Sequence, residues 1–493
     1  MDERLTSRRR RRPTVGTLRD RWLEIAAYVL FAAADLFLSF WGQPHSVRFN
    51  DSATYMTVSF TGSSGRLWFV PLMFRLAGDD TWRVVLQTLV GVACWCLLAE
   101  QVARGLVARV GRFAGVAVTL LLALTPEVVQ WNRAILSESL AISMSALLLA
   151  AGFWFARRPG WWSLGGLCAT ALAWAFCRQV QALVVVLLAV PLLVLAVRWP
   201  GRRALCLTGA VVMVGLAAWG IADSVQPGAI SRFNSIAVIR YRAGTDPAEL
   251  AYLRRHGLPE VAPLRRPIPF ARVGLPVNVT EHANSKDMVR LVEDPALATW
   301  VDHHWDDVYA GYLLSHPGQA LGPPVANAPY LMTGNPDYVQ AIELPSWLSD
   351  VVYGDTATYL LVLVSLAAVL VILAAVRRRV TPFMAVCLLA VGFDYVWTVA
   401  VWNLSASELL RLYEPEAVIA HLILALLVVA AVERLMRRQS ADDQVDAEII
   451  STEMASTATS TADSVRRRSP TRDSGPASAS GTSNRMAIWS PAR

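Results

Sequence analysis

The stretch WLEIAAYVLFAAADLFLSFWG, residues 22 to 42, decides what kind of protein this is. Twenty-one consecutive residues carry only two charges. As a helix the run rises about 30 Å, the thickness of a bilayer's hydrocarbon core. RRRRR at 8 to 12 precedes it, and no small-residue cleavage site follows, so it reads as a retained signal anchor and first span. The whole chain repeats the pattern. Of 493 residues 55% are hydrophobic and only 17% charged, with eighteen Trp and a mean hydropathy of +0.41. That composition excludes an ordinary soluble domain and predicts an all-α integral membrane protein.

About ten transmembrane helices are predicted, at 22–42, 84–103, 112–126, 136–156, 161–177, 180–198, 204–222, 356–376, 381–402 and 416–436. With the N-terminus in the cytoplasm, every inner connection is basic: Arg104, Arg109 and Arg112; Arg157 and Arg158; Arg198, Arg202 and Arg203; Arg377 to Arg379; Arg434, Arg437 and Arg438. This gives a basic cytoplasmic tail at 1–21, a seven-span module at 22–222, an extracytoplasmic cap loop at 223–355 and a three-span module at 356–436. Residues 437–493, rich in Ser, Thr, Ala and Arg, read as a disordered cytoplasmic tail. The cap is expected to be largely helical. Asp246-Pro247-Ala248-Glu249 reads as a capping box closed by Gly257, and Asp294-Pro295 starts a helix stopping at His316-Pro317. In the first outer loop, RLWFVPLMFRLAGDD at 66 to 80 suits a helix in the membrane interface.

The net charge of +7 does not imply a nucleic-acid partner: 44 of the 45 basic residues are Arg, clustered beside apolar runs where topology places them. The six cysteines lie in or at the ends of apolar runs, giving no disulfide framework and no thiolate metal site. Asp302, His303, His304, Asp306 and Asp307 have the composition of a metal site but the spacing of a solvated helix face, so no metal is expected. Asn278-Val279-Thr280 is a glycosylation sequon. Gly-rich nucleotide loops, serine nucleophile elbows and inverted repeats are not found.

The informative residues are the few polar ones at the outer surface. Asp51 in RFNDSATYM, residues 48 to 56, is either a helix N-cap or a general base whose proton affinity partial desolvation would raise. Glu138 opens the fourth span, where the helix dipole favours a carboxylate and a wet cavity would use one. Asp35 and Asp394, within outer halves of spans, are expected to pair with neighbouring helices. Each short outer connection holds one arginine, Arg133, Arg178 or Arg411. Either they snorkel to head groups, or they share an anionic phosphate.

Several segments together resemble the C-type membrane glycosyltransferases, the relatives of protein O-mannosyltransferases and aminoarabinose transferases. An acidic residue after span one, then Tyr55 and an interfacial loop with Pro71, resembles their first outer loop. LALTPEVVQWNRAILSESL at 122–140 is similar to their Pro, loop, Leu-Ser-Glu element. LGGLCATALAWAFCRQ at 164–179 is similar to their Gly-rich span ending in Arg, and ELLRLYEPEAVIAHLIL at 408–424 to their Arg-x-Tyr-x-x-Pro element. The likeness covers about residues 20–200 and 400–436, and it departs where many members have Asp-Glu and this chain has Asp51-Ser52.

The resemblance implies an inverting glycosyltransferase of a bacterial plasma membrane, using a polyprenyl-phosphate sugar as donor and no certain cofactor. A glycan, lipid or protein would be the acceptor. Asp51 would be the base and Glu138 a second site carboxylate. Arg178 and Arg411, with Arg133, Tyr55 and Tyr413 beside them, would bind substrate. Rival readings are a transporter or flippase of lipid-linked sugar and a non-catalytic membrane scaffold.

Overall fold

The computed structural model describes residues 15–41, 46–61, 66–224, 229–265, 286–332, 356–376, 380–405, 411–434 and 436. The expected disordered tail at 437–493, the basic start at 1–14 and the sequon at 278–280 lie outside the described residues. Within them the chain is helical, and the only β-type pairing is one isolated parallel bridge, Val47 to Ala134.

All ten expected runs are occupied by helix. Seven of these helices are long and apolar enough to cross a bilayer. An eighth is counted if Arg109–Ala123 and Pro126–Asn132, bent by 54°, form one broken span. The break has a local cause: Pro126 lacks an N–H for the helical ladder and forces Thr125 into extended backbone (ψ 151). Of the other two, Trp161–Ala175 has 15 residues, which at about 1.5 Å each covers only about 22 Å. Thr356–Val376 has 21 residues and contains the apolar segment Leu361–Leu373. The described residues form an all-α membrane protein with seven helices, or eight with the bent pair, that are long and apolar enough to cross. Within the span Gln179–Arg198, residues Val185–Leu188 tighten into a 3-10 turn just before Pro191, which has no N–H to give the carbonyl of Leu187 its regular helical bond.

Two helices form the centre. Glu138–Arg157 and Arg411–Arg434 are each buried over 72% of their apolar windows, against 22% for Arg21–Phe40. The outer helix turns Trp22, Leu30, Phe37 and Trp41 outward, as a lipid-facing surface requires. Close packing uses small residues: a Cβ on Gly115 would meet Leu106 at 2.6 Å and Val102 at 2.7 Å. All six cysteines are free thiols.

The cap builds a separate core on Trp300, Trp305, Tyr309 and Tyr312 of helix Pro295–Ser315, packed against Ile236–Ile239 and Leu253. The expected caps are present. The Asp246 carboxylate accepts from the N–H groups of Ala248 and Glu249 at 2.8 and 3.3 Å, and Asp294 accepts from Leu297 N–H at 2.9 Å. Gly257, with φ +87°, closes helix Pro247–Arg255 in the left-handed region that glycine tolerates. The reciprocal half of the capping box is not formed; Glu249 turns into a cavity instead. Asp302, His303, His304, Asp306 and Asp307 are exposed, Asp302 pairs with Arg232, and the described residues hold no group able to chelate a metal ion. Phe69–Ala77 is the expected amphipathic segment, burying Val70, Pro71 and Phe74 and ending at Gly78.

Candidate functional site: a carboxylate–guanidinium cluster

The bridge at Val47 positions the site. Val47 N–H donates to the carbonyl of Arg133 at 2.8 Å, and Ile135 N–H donates back to that of Val47 at 3.0 Å. This ties the loop after the first helix to the connection before Glu138–Arg157, so Asp51 and Glu138 face one region although 87 positions apart in sequence. Gln87 braces the connection, donating through Nε2 to the carbonyls of Asn132 and Ala134 at 3.0 and 3.1 Å.

Asp51 is not a helix N-cap. It lies inside the 3-10 turn Asn50–Tyr55, where Ser52 Oγ accepts from Phe49 N–H at 2.8 Å and performs the capping. The Asp51 carboxylate instead meets two guanidiniums: Oδ2 is 3.0 Å from Arg66 Nη2 and 3.2 Å from Arg411 Nη2. Glu138, fully buried at the start of its helix, holds Arg411 Nε and Arg178 Nη2, each 2.6 Å from Oε1. Its other oxygen, Oε2, is buried with no hydrogen-bond partner among the described residues. Arg411 thus bridges the two carboxylates.

Neighbours fix these side chains. Arg178 donates through Nη1 to the carbonyl of Leu412 at 3.1 Å and through Nε to Ser137 Oγ at 3.2 Å. The short helix ending at Ala175 makes this possible, because Arg178 follows it in extended backbone (φ −147°, ψ 147°). Tyr55 donates its hydroxyl to the same Ser137 Oγ at 3.1 Å, and its ring lies under the Arg66 guanidinium at 4.6 Å. Arg66 also donates through Nε to Thr54 Oγ1 at 2.9 Å.

Five predicted residues therefore converge: Asp51, Tyr55, Glu138, Arg178 and Arg411. Two do not. Arg133 is wholly buried, and its guanidinium donates to the carbonyls of Leu38 and Ser39, both at 2.7 Å, and of Trp41. These are orphan carbonyls at the end of the first helix, where a cation completes the hydrogen bonding and offsets the dipole. Tyr413 is buried and donates its hydroxyl to the carbonyl of Thr398, joining two helices. Asp35 accepts from Asn132 Nδ2 at 3.3 Å, the interhelical pairing expected of it. Asp394 is buried with Oδ1 unpartnered among the described residues. Arg66 and Ser137 were not singled out by sequence. Nothing in charge position separates Arg66 from Arg48 and Arg75 in the same loop; only the loop's path brings it to Asp51.

Three guanidiniums against two carboxylates leave the cluster one unit positive. Burial raises the proton affinity of Asp51, but Arg66 and Arg411 outweigh it through charge and hydrogen bonds, holding the carboxyl below its ordinary range. The expected upward shift of Asp51 is thus reversed. Chemically, the arrangement is an ionised, partly exposed carboxylate (40% of its side chain) beside deeply placed cations, Arg178 and Arg411, at 8% and 5%. No protein-family model, characterised protein or solved structure matches the chain.

Proposed function

We propose that this protein is a ten-span glycosyltransferase of the C-type architecture. It moves a sugar from a polyprenyl-phosphate donor to a glycan, lipid or protein acceptor at the outer face of a bacterial plasma membrane, with both termini cytoplasmic. The observation that carries this reading is the cluster itself. Side chains from four separate stretches of the chain bring three arginines and two carboxylates together where the apolar helices end. Charged groups at such depth are costly and mark functional sites by default.

The chemistry follows from the donor's charge. A phosphate at the lip is drawn to Arg178 and Arg411, whose planar forks suit its oxygens. As it takes Arg411, it competes with Asp51 for that guanidinium, and the proton affinity of Asp51 rises towards what a base needs. The acceptor hydroxyl oxygen then bonds to the anomeric carbon and gives its proton to Asp51. The bond from that carbon to the phosphate oxygen breaks, its electron pair leaving with the polyprenyl phosphate, whose growing charge the arginines stabilise. The unpartnered Oε2 of Glu138 is an acceptor available to a sugar hydroxyl.

The test uses full-length protein in nanodiscs, a polyprenyl phosphate carrying a radiolabelled sugar, and envelope extract as acceptor. Asp51→Asn is expected to lower transfer by about 10² to 10⁴-fold while donor binding persists. A transporter would be indifferent to that change, and an Asn variant keeping more than a tenth of wild-type turnover overturns the assignment. Reporter fusions at Ser285 and at the C-terminus check the sidedness, and cytoplasmic labelling of Ser285 would overturn it.

A further inference from the structure

Arg157 closes the 20-residue helix that Glu138 opens, and so lies about 30 Å away along the axis. Around it, at the end of the bundle opposite the cluster, lies a second concentration of charge. A cavity of about 500 Å³ is lined by Arg21, Arg104, Arg112, Arg157 and Arg158, with only Glu24 and Glu100 opposing them. The lining is three units positive. Glu100 is shared, accepting from Arg21 Nη1 at 3.2 Å, Arg104 Nε at 2.7 Å and the Tyr28 hydroxyl at 3.1 Å. Arg157 finds neutral partners, donating to the carbonyl and side-chain oxygens of Gln101, and its Nε is buried without a hydrogen bond among the described residues. The Arg158 side chain makes no hydrogen bond or ion pair among the described residues and is exposed.

Topological placement explains why arginines gather at this level of the membrane. It does not explain why they surround a cavity, nor what the cavity opens onto. An adjoining groove of about 310 Å³ shares Arg21, Glu24, Glu100 and Arg104 and continues over Ile25, Tyr28, Cys96 and Leu97, between the helices Val15–Phe40 and Asp80–Gly105. Ile25 and Leu97 are exposed on the lipid-facing side of those helices. Cationic cavity and apolar groove are therefore one continuous surface.

We infer that this surface binds an anionic phospholipid, its phosphate among Arg21, Arg104, Arg112, Arg157 and Arg158 and one acyl chain along Ile25 and Leu97. Charge complementarity selects the head group: three surplus positive charges favour a lipid with two phosphates over one, and either over a zwitterion. The groove selects a lipid over a free anion, because only an acyl chain fills it. Basic pockets between membrane helices take such head groups by the same electrostatics. The site is independent of the chemistry at Asp51.

Native mass spectrometry of the full-length protein in mild detergent tests it, with tetraoleoyl cardiolipin, dioleoyl phosphatidylglycerol, dioleoyl phosphatidylcholine and inorganic phosphate as probes. The expected order of affinity is that order. Arg157→Gln with Arg158→Gln is expected to weaken cardiolipin binding about 25-fold, each arginine near such a surface being worth roughly fivefold. Arg158 alone has no internal partner to lose, so Arg158→Gln should keep the wild-type melting temperature and still weaken binding about fivefold. Leu97→Trp fills the groove and should weaken cardiolipin while leaving inorganic phosphate unchanged. Equal affinity for phosphatidylcholine and cardiolipin, or wild-type cardiolipin binding in the double variant, overturns the proposal. Inorganic phosphate binding as tightly as cardiolipin would show a site for free anions and overturn the lipid assignment.

Discussion

Two carboxylates share Arg411, and their burial predicts unequal consequences for their removal. Glu138 is 0% exposed and its partners Arg178 and Arg411 are 8% and 5% exposed, so solvent screens this trio very little. Glu138→Gln keeps shape and volume but leaves two buried guanidiniums facing a neutral amide, in a cluster whose surplus charge rises from one to two. Breaking a buried pair in this way costs about 3–5 kcal/mol. At about 2 cal/mol/K of unfolding entropy per residue over the unit Met1–Arg434, the melting temperature should fall by roughly 3–5 °C. Asp51 pairs with the same Arg411 at 3.2 Å, but 40% of its side chain meets solvent. Asp51→Asn should therefore cost no more than about 1 kcal/mol. The assay is thermal unfolding of both variants in one detergent, alongside Glu138→Gln combined with Arg178→Gln. Removing the stranded partner should recover roughly 0.5–3 kcal/mol of the single variant's loss, the coupling usual for residues in one network. A Glu138→Gln protein within 1 kcal/mol of wild type, or an Asp51→Asn protein less stable than it, refutes the reasoning, because burial would then not govern the strength of these pairs.

Three further outcomes are expected. Arg133→Leu removes the donors that satisfy three helix-end carbonyls and should destabilise the fold by about 3 kcal/mol while donor affinity stays within twofold of wild type, measured by unfolding and binding in parallel. Arg178→Lys and Arg411→Lys keep charge but lose the planar fork, and should each weaken donor binding about 10- to 100-fold by titration; wild-type affinity in both would remove the phosphate site. Burial pushes the Glu249 carboxyl up to about 7, even with Arg242 pulling it down. Because its folded value exceeds the unfolded one of about 4.3, its contribution is complete below pH 4 and is lost as pH rises through 7, on the order of 3 kcal/mol in all. Hydrogen exchange in the cap from pH 4 to pH 8 should show protection falling in the wild type and staying flat in Glu249→Gln.

The fold was legible because the bilayer sets one length for every span, and apolar runs measure that length directly. Where a helix is bent or short, local backbone chemistry is responsible. Pro126 breaks the third span, and the chain leaves helix after Ala175 so that Arg178 can turn inward. The site was legible in depth but not in azimuth. Charge position put Arg133, Arg178 and Arg411 at one level of the membrane and could not say which way each points. Arg178 and Arg411 point at Glu138, whereas Arg133 points at the open end of the first helix. Arg66 was hidden for the complementary reason: a loop with several arginines gives no sign of which one folds back onto Asp51. The upward shift expected of Asp51 failed with it, since desolvation was foreseen and the second cation was not.

The pairing of Glu138 with Arg411 spans 273 positions, and that of Asp51 with Arg411 spans 360. During synthesis the helix opening at Glu138 is made long before the one opening at Arg411 leaves the ribosome. Until then Arg178 alone opposes Glu138, and Asp51 has only Arg66. The helix Arg411–Arg434 thus acts as the key that closes the circuit of charges. A chain that stops short of it holds two separate pairs, Glu138 with Arg178 and Asp51 with Arg66, with no cation shared between the two carboxylates. Assembly of the site therefore waits for the segment that carries Arg411.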